Sequence, residues 1–74
     1  MSDVTIKSEV TGSVWRVLVS EGASVDEDQT LIVVESMKME IPITASDSGE
    51  VVSILVKEGD PIAEGVPVVT IRVD

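Results

Sequence analysis

The sequence predicts an all-β domain built from two interlocked halves of a small β-sandwich or flattened barrel. Valine and isoleucine dominate its apolar residues, with three leucines, one tryptophan and no phenylalanine or tyrosine. β-Branched side chains are restricted at χ1 and pack well on a pleated surface, so this composition favours strands. Short apolar runs alternate with turn signals, and one half of the chain repeats the other. The 74 residues are expected to form a single domain, 1–74.

Strand and turn signals follow one another from the amino terminus. The alternating run DVTIK is followed by the break TGS, and VWRVLV ends at the turn SEGAS. The continuous apolar run TLIVVE is followed by its return MEIPIT, and SDSG then interrupts the chain. The last strands are EVVSILV and VPVVTIRV, separated by KEGDP. No window combines helical spacing with caps at both ends, so no helix longer than one turn is expected. Pro42 and Pro67 lack the N–H that a sheet ladder needs, which places them at strand edges, starts or bulges.

The two halves of the chain are related by an internal repeat. The segment GSVWRVLVSEGASVDEDQTLIVV (12–34) aligns without gaps on GEVVSILVKEGDPIAEGVPVVTI (49–71), an offset of 37 residues. Gly12 matches Gly49, and half of the other 22 pairs are identical or exchange Val, Ile and Leu. Two copies are too few for a solenoid, so we expect a pseudo-two-fold axis within one domain. The same offset carries Lys38 to the two chain ends, which predicts that Lys38 lies away from the termini.

Composition and charge exclude several classes of function. The net charge of −9 repels nucleic-acid phosphates and anionic lipid, so neither nucleic acid nor a membrane is an expected partner. The sequence has no histidine, no cysteine and no nucleophile-elbow or P-loop pattern, so neither a metal site nor an independent enzyme is expected.

The acidic segment VDEDQ (25–29) lacks the glycine and spacing of a calcium loop and predicts a solvated turn. The opening residues MSDVTIKS lack the basic start and apolar stretch of a signal peptide, so a cytoplasmic protein is expected. A monomer is also expected.

Lys38 stands at the centre of the near-palindrome ESMKME, between two strand-like runs. A two-residue hairpin normally uses Asn-Gly or Asp-Gly, because its central residues need positive φ, and this segment has neither. Two interpretations are open from the pattern alone. One is a longer or irregular loop, or a lysine that merely keeps a hairpin soluble; the other is a local turn preference overridden to present Lys38.

The neighbours of Lys38 also have two interpretations each. Met37 and Met39 either fill gaps at the end of the hairpin or form a soft surface for recognition. Glu35 and Glu40 are either solvated strand ends or groups that orient an approaching partner. Elsewhere, Trp15 aligns with an aliphatic residue in the repeat and is interpreted as core or half-buried packing, with exposed partner contact as the less favoured alternative.

The segment ESMKMEIPI resembles the attachment motif of biotinyl domains, in which a lysine between two methionines accepts the cofactor. GSVWRVLVSEGASVDEDQTLIVVE and SGEVVSILVKEGDPIAEGVPVVTI resemble the two halves of these domains, so the resemblance covers essentially the whole chain. Many biotinyl motifs have Ala where Ser36 stands. The related lipoyl domains share the fold but usually carry Asp-Lys-Ala at the turn, which this sequence lacks. Its brevity is similar to that of stand-alone biotin/lipoyl attachment proteins.

This resemblance implies a barrel-sandwich hybrid of two four-stranded antiparallel sheets, with biotin attached to Lys38 by a biotin protein ligase. The biotin would carry a carboxyl group from a biotin carboxylase to a carboxyltransferase, and the domain would catalyse nothing alone. The residues implied in recognition by the ligase and the carboxylase active sites are Met37 and Met39, with Glu35, Ser36 and Glu40 as flanking residues.

Two alternatives to a biotin carrier stay open. One is a lipoyl carrier, or a carrier that accepts both biotin and lipoate. The other is an unmodified β interaction module whose Met-Lys-Met tip docks a partner.

Overall fold

Alternating apolar residues form short strands throughout residues 2–73, the part of the chain that the computed structural model describes. This range contains no helix, as the sequence predicts. No segment within it forms the long apolar helix that a membrane crossing would need. The strands are β1 (Ser2–Lys7), β2 (Gly12–Val17), β3 (Ser24–Val25), β4 (Thr30–Ser36), β5 (Met39–Thr44), β6 (Gly49–Ile54), β7 (Pro61–Ile62) and β8 (Pro67–Val73).

The strands form two four-stranded antiparallel sheets, which confirms the predicted fold class. The Lys38 sheet has the order β5-β4-β2-β7, and the opposite sheet has the order β1-β8-β6-β3. Each sheet therefore takes two strands from the first half of the chain and two from the second. Pro42 lies in the edge strand β5 and Pro67 opens β8, in agreement with their lack of a ladder donor.

The offset of 37 residues relates the two sheets to each other. It carries β1, β2, β3 and β4 onto β5, β6, β7 and β8. The hydrogen bonds repeat with the strands, because the Gly22 N–H donates to the Val51 carbonyl at 2.8 Å and the Gly59 N–H donates to the Val14 carbonyl at 2.8 Å. The sequence repeat is thus a pseudo-two-fold relation of the structure.

Two matched glutamates connect the halves of the chain. The Glu58 carboxylate accepts a hydrogen bond from the Val17 N–H at 3.3 Å, and the Glu21 carboxylate accepts one from the Ile54 N–H at 3.2 Å. Each glutamate satisfies a backbone donor near the end of a strand in the other half. The identity of these two residues in the repeat therefore has a structural cause.

The core lies between the sheets and is aliphatic among the described residues. Val34 and its counterpart Ile71 are completely buried on the central strands β4 and β8. Every buried side-chain nitrogen or oxygen in residues 2–73 has a hydrogen-bond partner. The buried apolar side chains are those of Ile6, Val14, Val25, Leu31, Ile32, Val34, Ile43, Ala45, Val51, Ile62, Val68, Val69 and Ile71.

Trp15 lies outside this core, so its interpretation as core packing is wrong. Val14 pairs with Val34 and Arg16 pairs with Val33, which leaves Trp15 as the extra residue of a β-bulge in β2. A bulge bends its strand and changes the direction of a side chain. The Trp15 side chain is consequently 41% exposed.

Lys38 and the chain ends lie at opposite ends of β1. The repeat places the counterpart of the Lys38 turn at Met1 and Asp74, which lie outside the described residues; their neighbours Ser2 and Val73 pair with each other. From Ser2 the strand runs toward Thr11, whose carbonyl accepts a hydrogen bond from Ser36 beside the turn. Six strand residues span about 20 Å in a domain that measures 36 × 18 × 17 Å. The predicted position of Lys38 is confirmed.

Two glycines allow the close approach of neighbouring strands. A Cβ added to Gly12 would collide with the carbonyl oxygen of Glu35, and one added to Gly49 would collide with that of Arg72. In both cases the obstacle is backbone, which cannot move without disturbing the sheet. This close contact explains why both halves of the repeat have glycine at this position.

We expect Gly49→Ala to lower the free energy of unfolding by about 2 kcal/mol or more, because overpacking here displaces the β8 backbone. Urea unfolding followed by circular dichroism measures the loss. Ser24→Ala, on the strand that pairs with the start of β6, is the matched control and should change stability by less than about 0.5 kcal/mol. Equal losses in the two variants would contradict the close-approach argument.

Candidate functional site

The hairpin between β4 and β5 closes with a two-residue turn formed by Met37 and Lys38. Strand pairing continues to its base, where Ser36 pairs with Met39. The turn residues have φ angles of 52° and 63°, so both are left-handed, as a type I′ hairpin turn requires. The interpretation as a longer or irregular loop is therefore wrong.

Backbone strain is stored at this turn. Left-handed backbone brings Cβ close to the following carbonyl oxygen, which costs a residue other than glycine about 1 kcal/mol. Asp28 also has positive φ, at 68°, but Asp tolerates this region better, and its repeat counterpart is Gly65. Among the non-glycine residues described, Met37 and Lys38 are the two adjacent ones with left-handed backbone, and neither has a small polar side chain. They are the residues that form the turn of the lysine. This geometry agrees with a turn preference overridden to present Lys38.

The side chains of the turn project into solvent. Met37 is 92% exposed and Met39 is 64% exposed, so the interpretation of these methionines as gap-fillers is wrong. Lys38 is exposed, and within residues 2–73 it forms no salt bridge. The tip therefore offers a free primary amine between two flexible, polarisable thioether side chains.

A hydrogen-bonded connection fixes the base of the hairpin to the rest of the domain. The Ser36 hydroxyl donates to the Thr11 carbonyl at 2.7 Å. The Thr11 hydroxyl oxygen accepts from the Glu64 N–H at 3.2 Å. An alanine at position 36 could not make the first bond. The sequence pattern showed Ser36 only as a departure from the family motif, and its supporting contact was not predicted.

Two carboxylates face each other directly below the turn. Glu35 pairs with Glu40 across β4 and β5, and both are exposed. Like charges directly opposite in a sheet are destabilising. Their counterparts in the repeat, Arg72 and Asp3, instead form a salt bridge at 3.2 Å. The pseudo-symmetry thus places an attractive pair near the termini and a repulsive pair beside Lys38.

The other features that could form a site lie elsewhere. A groove of about 500 Å³ runs between the edge strands β1 and β5, and Lys38 does not line it. In the segment VDEDQ, Val25 ends β3 and residues 26–29 form an exposed turn between β3 and β4, as predicted. Residues 2–73 contain no cluster of three or more carboxylates arranged to hold a metal ion. The chemistry available at the tip is that of an accessible amine which a second protein can reach.

Comparison with known proteins agrees with this geometry. The family model described as "Biotin-requiring enzyme" matches residues 4–71. The chain is 42% identical over 62 residues to the biotin/lipoyl attachment protein of Bacillus subtilis, covering 84% of this chain and 85% of that protein. It is 42% identical over 60 residues to the biotinylated protein TB7.3 homolog of Mycobacterium leprae, covering 81% and 84%.

The fold is also similar to part of a much larger solved structure. The urea carboxylase of Kluyveromyces lactis superimposes with a TM-score of 0.92 at 33% sequence identity. The match covers 97% of this chain and 6% of the carboxylase chain. The likeness therefore concerns one domain of that protein.

We expect the double variant Met37→Asn, Lys38→Gly to be more stable than the parent by about 1–2 kcal/mol, because Asn-Gly is the preferred type I′ turn. Thermal and urea unfolding measure the change. Met39→Asn is the control, since the same exchange one residue beyond the turn lies in extended β5, where Asn is unfavourable. Stabilisation by the control, or none by the double variant, would contradict the presence of strain.

Proposed function

The chain belongs to the biotin/lipoyl attachment family, and from this premise we propose that it is a biotin carrier modified on Lys38. The observation that carries the proposal is the two-residue left-handed turn, which presents Lys38 between two exposed methionines. The Met-Lys-Met sequence at this turn favours biotin over lipoate. The proposed location is the cytoplasm, where a ligase and a carboxylase would have ATP available.

The residues at the tip fit a covalently attached biotin. Attachment as an amide needs an accessible amine and no binding cavity, and Lys38 meets this requirement at the end of its hairpin. The neutral Lys38 Nζ would attack the acyl carbonyl of biotin that a ligase has activated with ATP. The N–acyl bond would form, the bond from the acyl group to the AMP leaving group would break, and the amine would lose a proton. The ligase supplies the activation, so the chain needs no histidine or cysteine for this step.

The domain then acts by positioning. When attached, biotin supplies the chemistry that accepts and releases a carboxyl group. The turn holds the Lys38 backbone at a fixed place, while the lysine stem and the biotin chain give the arm its reach. Met37 and Met39 offer adaptable contact surface to the ligase and to the carboxylase active sites. The proposed partners are a biotin protein ligase, a biotin carboxylase and a carboxyltransferase, and the domain itself is proposed to be a monomer without activity of its own.

Intact mass should increase by one biotinyl group when the chain is incubated with a biotin protein ligase, biotin and ATP. Lys38→Arg should give no increase, because the guanidinium stays protonated and is not a nucleophile. Lys7→Arg and Lys57→Arg are the matched controls and should be modified like the parent. A biotinyl group on the Lys38→Arg variant would contradict the proposal.

The same assay separates the alternative functions. A lipoyl group added by a lipoate ligase, with none added by the biotin ligase, would identify a lipoyl carrier. No modification by either ligase would favour the unmodified interaction module.

The repulsive pair below the turn gives a second prediction. Glu35→Arg should raise stability by up to about 1 kcal/mol, because it recreates the attractive pair of the other half. It should also lower kcat/KM for biotinylation several-fold, if Glu35 and Glu40 orient a basic surface of the ligase. The deficit should shrink at high salt, where such attraction is screened.

Arg72→Glu is the control for this variant, since it introduces a like-charge pair far from Lys38. It should lower stability and leave biotinylation unchanged. If Glu35→Arg is biotinylated like the parent at low salt, the carboxylates have no part in recognition.

A further inference from the structure

The pseudo-two-fold relation allows a direct comparison of the outer faces of the two sheets. On the Lys38 sheet, Val33 of β4 pairs with Arg16 of β2 on one side and with Pro42 of β5 on the other. Trp15 is the bulged residue beside Arg16. We call Trp15, Arg16, Val33 and Pro42 the outer row.

The corresponding row on the opposite sheet is chemically different. Thr70 of β8 pairs with Ser53 of β6 and with Thr5 of β1, so three hydroxyl side chains occupy the paired positions. Val52 is the extra residue of the bulge in β6, since Val51 pairs with Ile71 and Ser53 pairs with Thr70. One fold thus tolerates both rows, and the indole is not needed to form the bulge.

The Arg16 guanidinium lies over the exposed indole of Trp15. The guanidinium carbon lies 4.8 Å from the ring centroid, a cation–π distance. Among the described residues Arg16 forms no salt bridge, so its N–H groups remain available to a carboxylate of another molecule. Exposed Trp and Arg are the residue types that most often dominate the binding energy of a protein interface.

The outer row lies within reach of a protein that closes on Lys38. Pro42 follows Lys38 by four residues, which corresponds to about 13 Å along an extended strand. A standard interface covers about 800 Å² of each partner, and this chain exposes 4518 Å² in total. An enzyme that brings the lysine side chain into its active site before biotin lengthens it must cover the hairpin and the strand surface next to it.

Resting on the proposed biotinylation of Lys38, we infer that the outer row is the surface on which the biotin protein ligase docks. The complementary ligase surface has an apolar patch for Trp15, a carboxylate for Arg16 and a basic group for the carboxylates nearer the tip. Ser53 and Thr70, on the inner strands of the opposite sheet, take no part in this contact.

Steady-state biotinylation by a ligase that modifies the parent chain tests this inference. Trp15→Val introduces the residue type of the other bulge, and it should raise KM for the protein substrate about tenfold or more with kcat within about twofold. Arg16→Ser, also taken from the opposite sheet, should raise KM several-fold. Val52→Ala is the matched control and should leave both constants unchanged.

Each variant is first checked for cooperative thermal unfolding, and Arg16→Ser decides the question if Trp15→Val does not fold. Unchanged KM in the folded variants, with the parent biotinylated on Lys38, would overturn the docking surface and leave the proposed function intact. Unchanged ligase kinetics with impaired carboxyl transfer by the biotinylated variants would assign the row to the carboxylase and also overturn it. Failure of the ligase to modify the parent would instead overturn the proposed function.

Discussion

Neither half of this chain can bury its apolar side chains without the other half. Each sheet combines two strands from residues before the midpoint with two from after it, and the buried faces of both sheets meet in one aliphatic core. The hydrogen bonds that Glu21 and Glu58 accept across the halves depend on this exchange. In this way a short chain whose only aromatic residue is one tryptophan obtains a continuous aliphatic core. The position of every surface feature follows from it.

Because the scaffold repeats, the differences between the halves indicate function. One end of the domain has paired chain termini and an ion pair between Asp3 and Arg72. The other end has a strained turn and opposed carboxylates. A domain selected for stability alone would have little reason to keep left-handed Met37 and Lys38 or to place Glu35 opposite Glu40. These costs are concentrated around the amine, as expected where stability is given up for activity.

The sequence predicted the fold class, the pseudo-two-fold relation and the position of Lys38, because periodic β-branched residues and an ungapped repeat record strand geometry directly. It left the form of the turn open, since Met-Lys contains no residue that favours positive φ, and only the pairing of Ser36 with Met39 leaves room for two residues. The exposure of Trp15 was only the less favoured alternative, because a β-bulge breaks the alternation on which such an inference rests. The bond from Ser36 to Thr11 joins residues 25 positions apart, beyond what a local motif reveals.

We propose that this fold presents one lysine, Lys38, for biotin attachment. The most direct test of this proposal is fragment-ion mass spectrometry on peptides of the chain isolated from its own cells. We expect a biotinyl group on the peptide that contains Met37-Lys38-Met39, with fragment ions that place it on Lys38. A biotinyl group on Lys7 or Lys57, or a tip peptide that carries only a lipoyl group or no modification in biotin-replete cells, would contradict it.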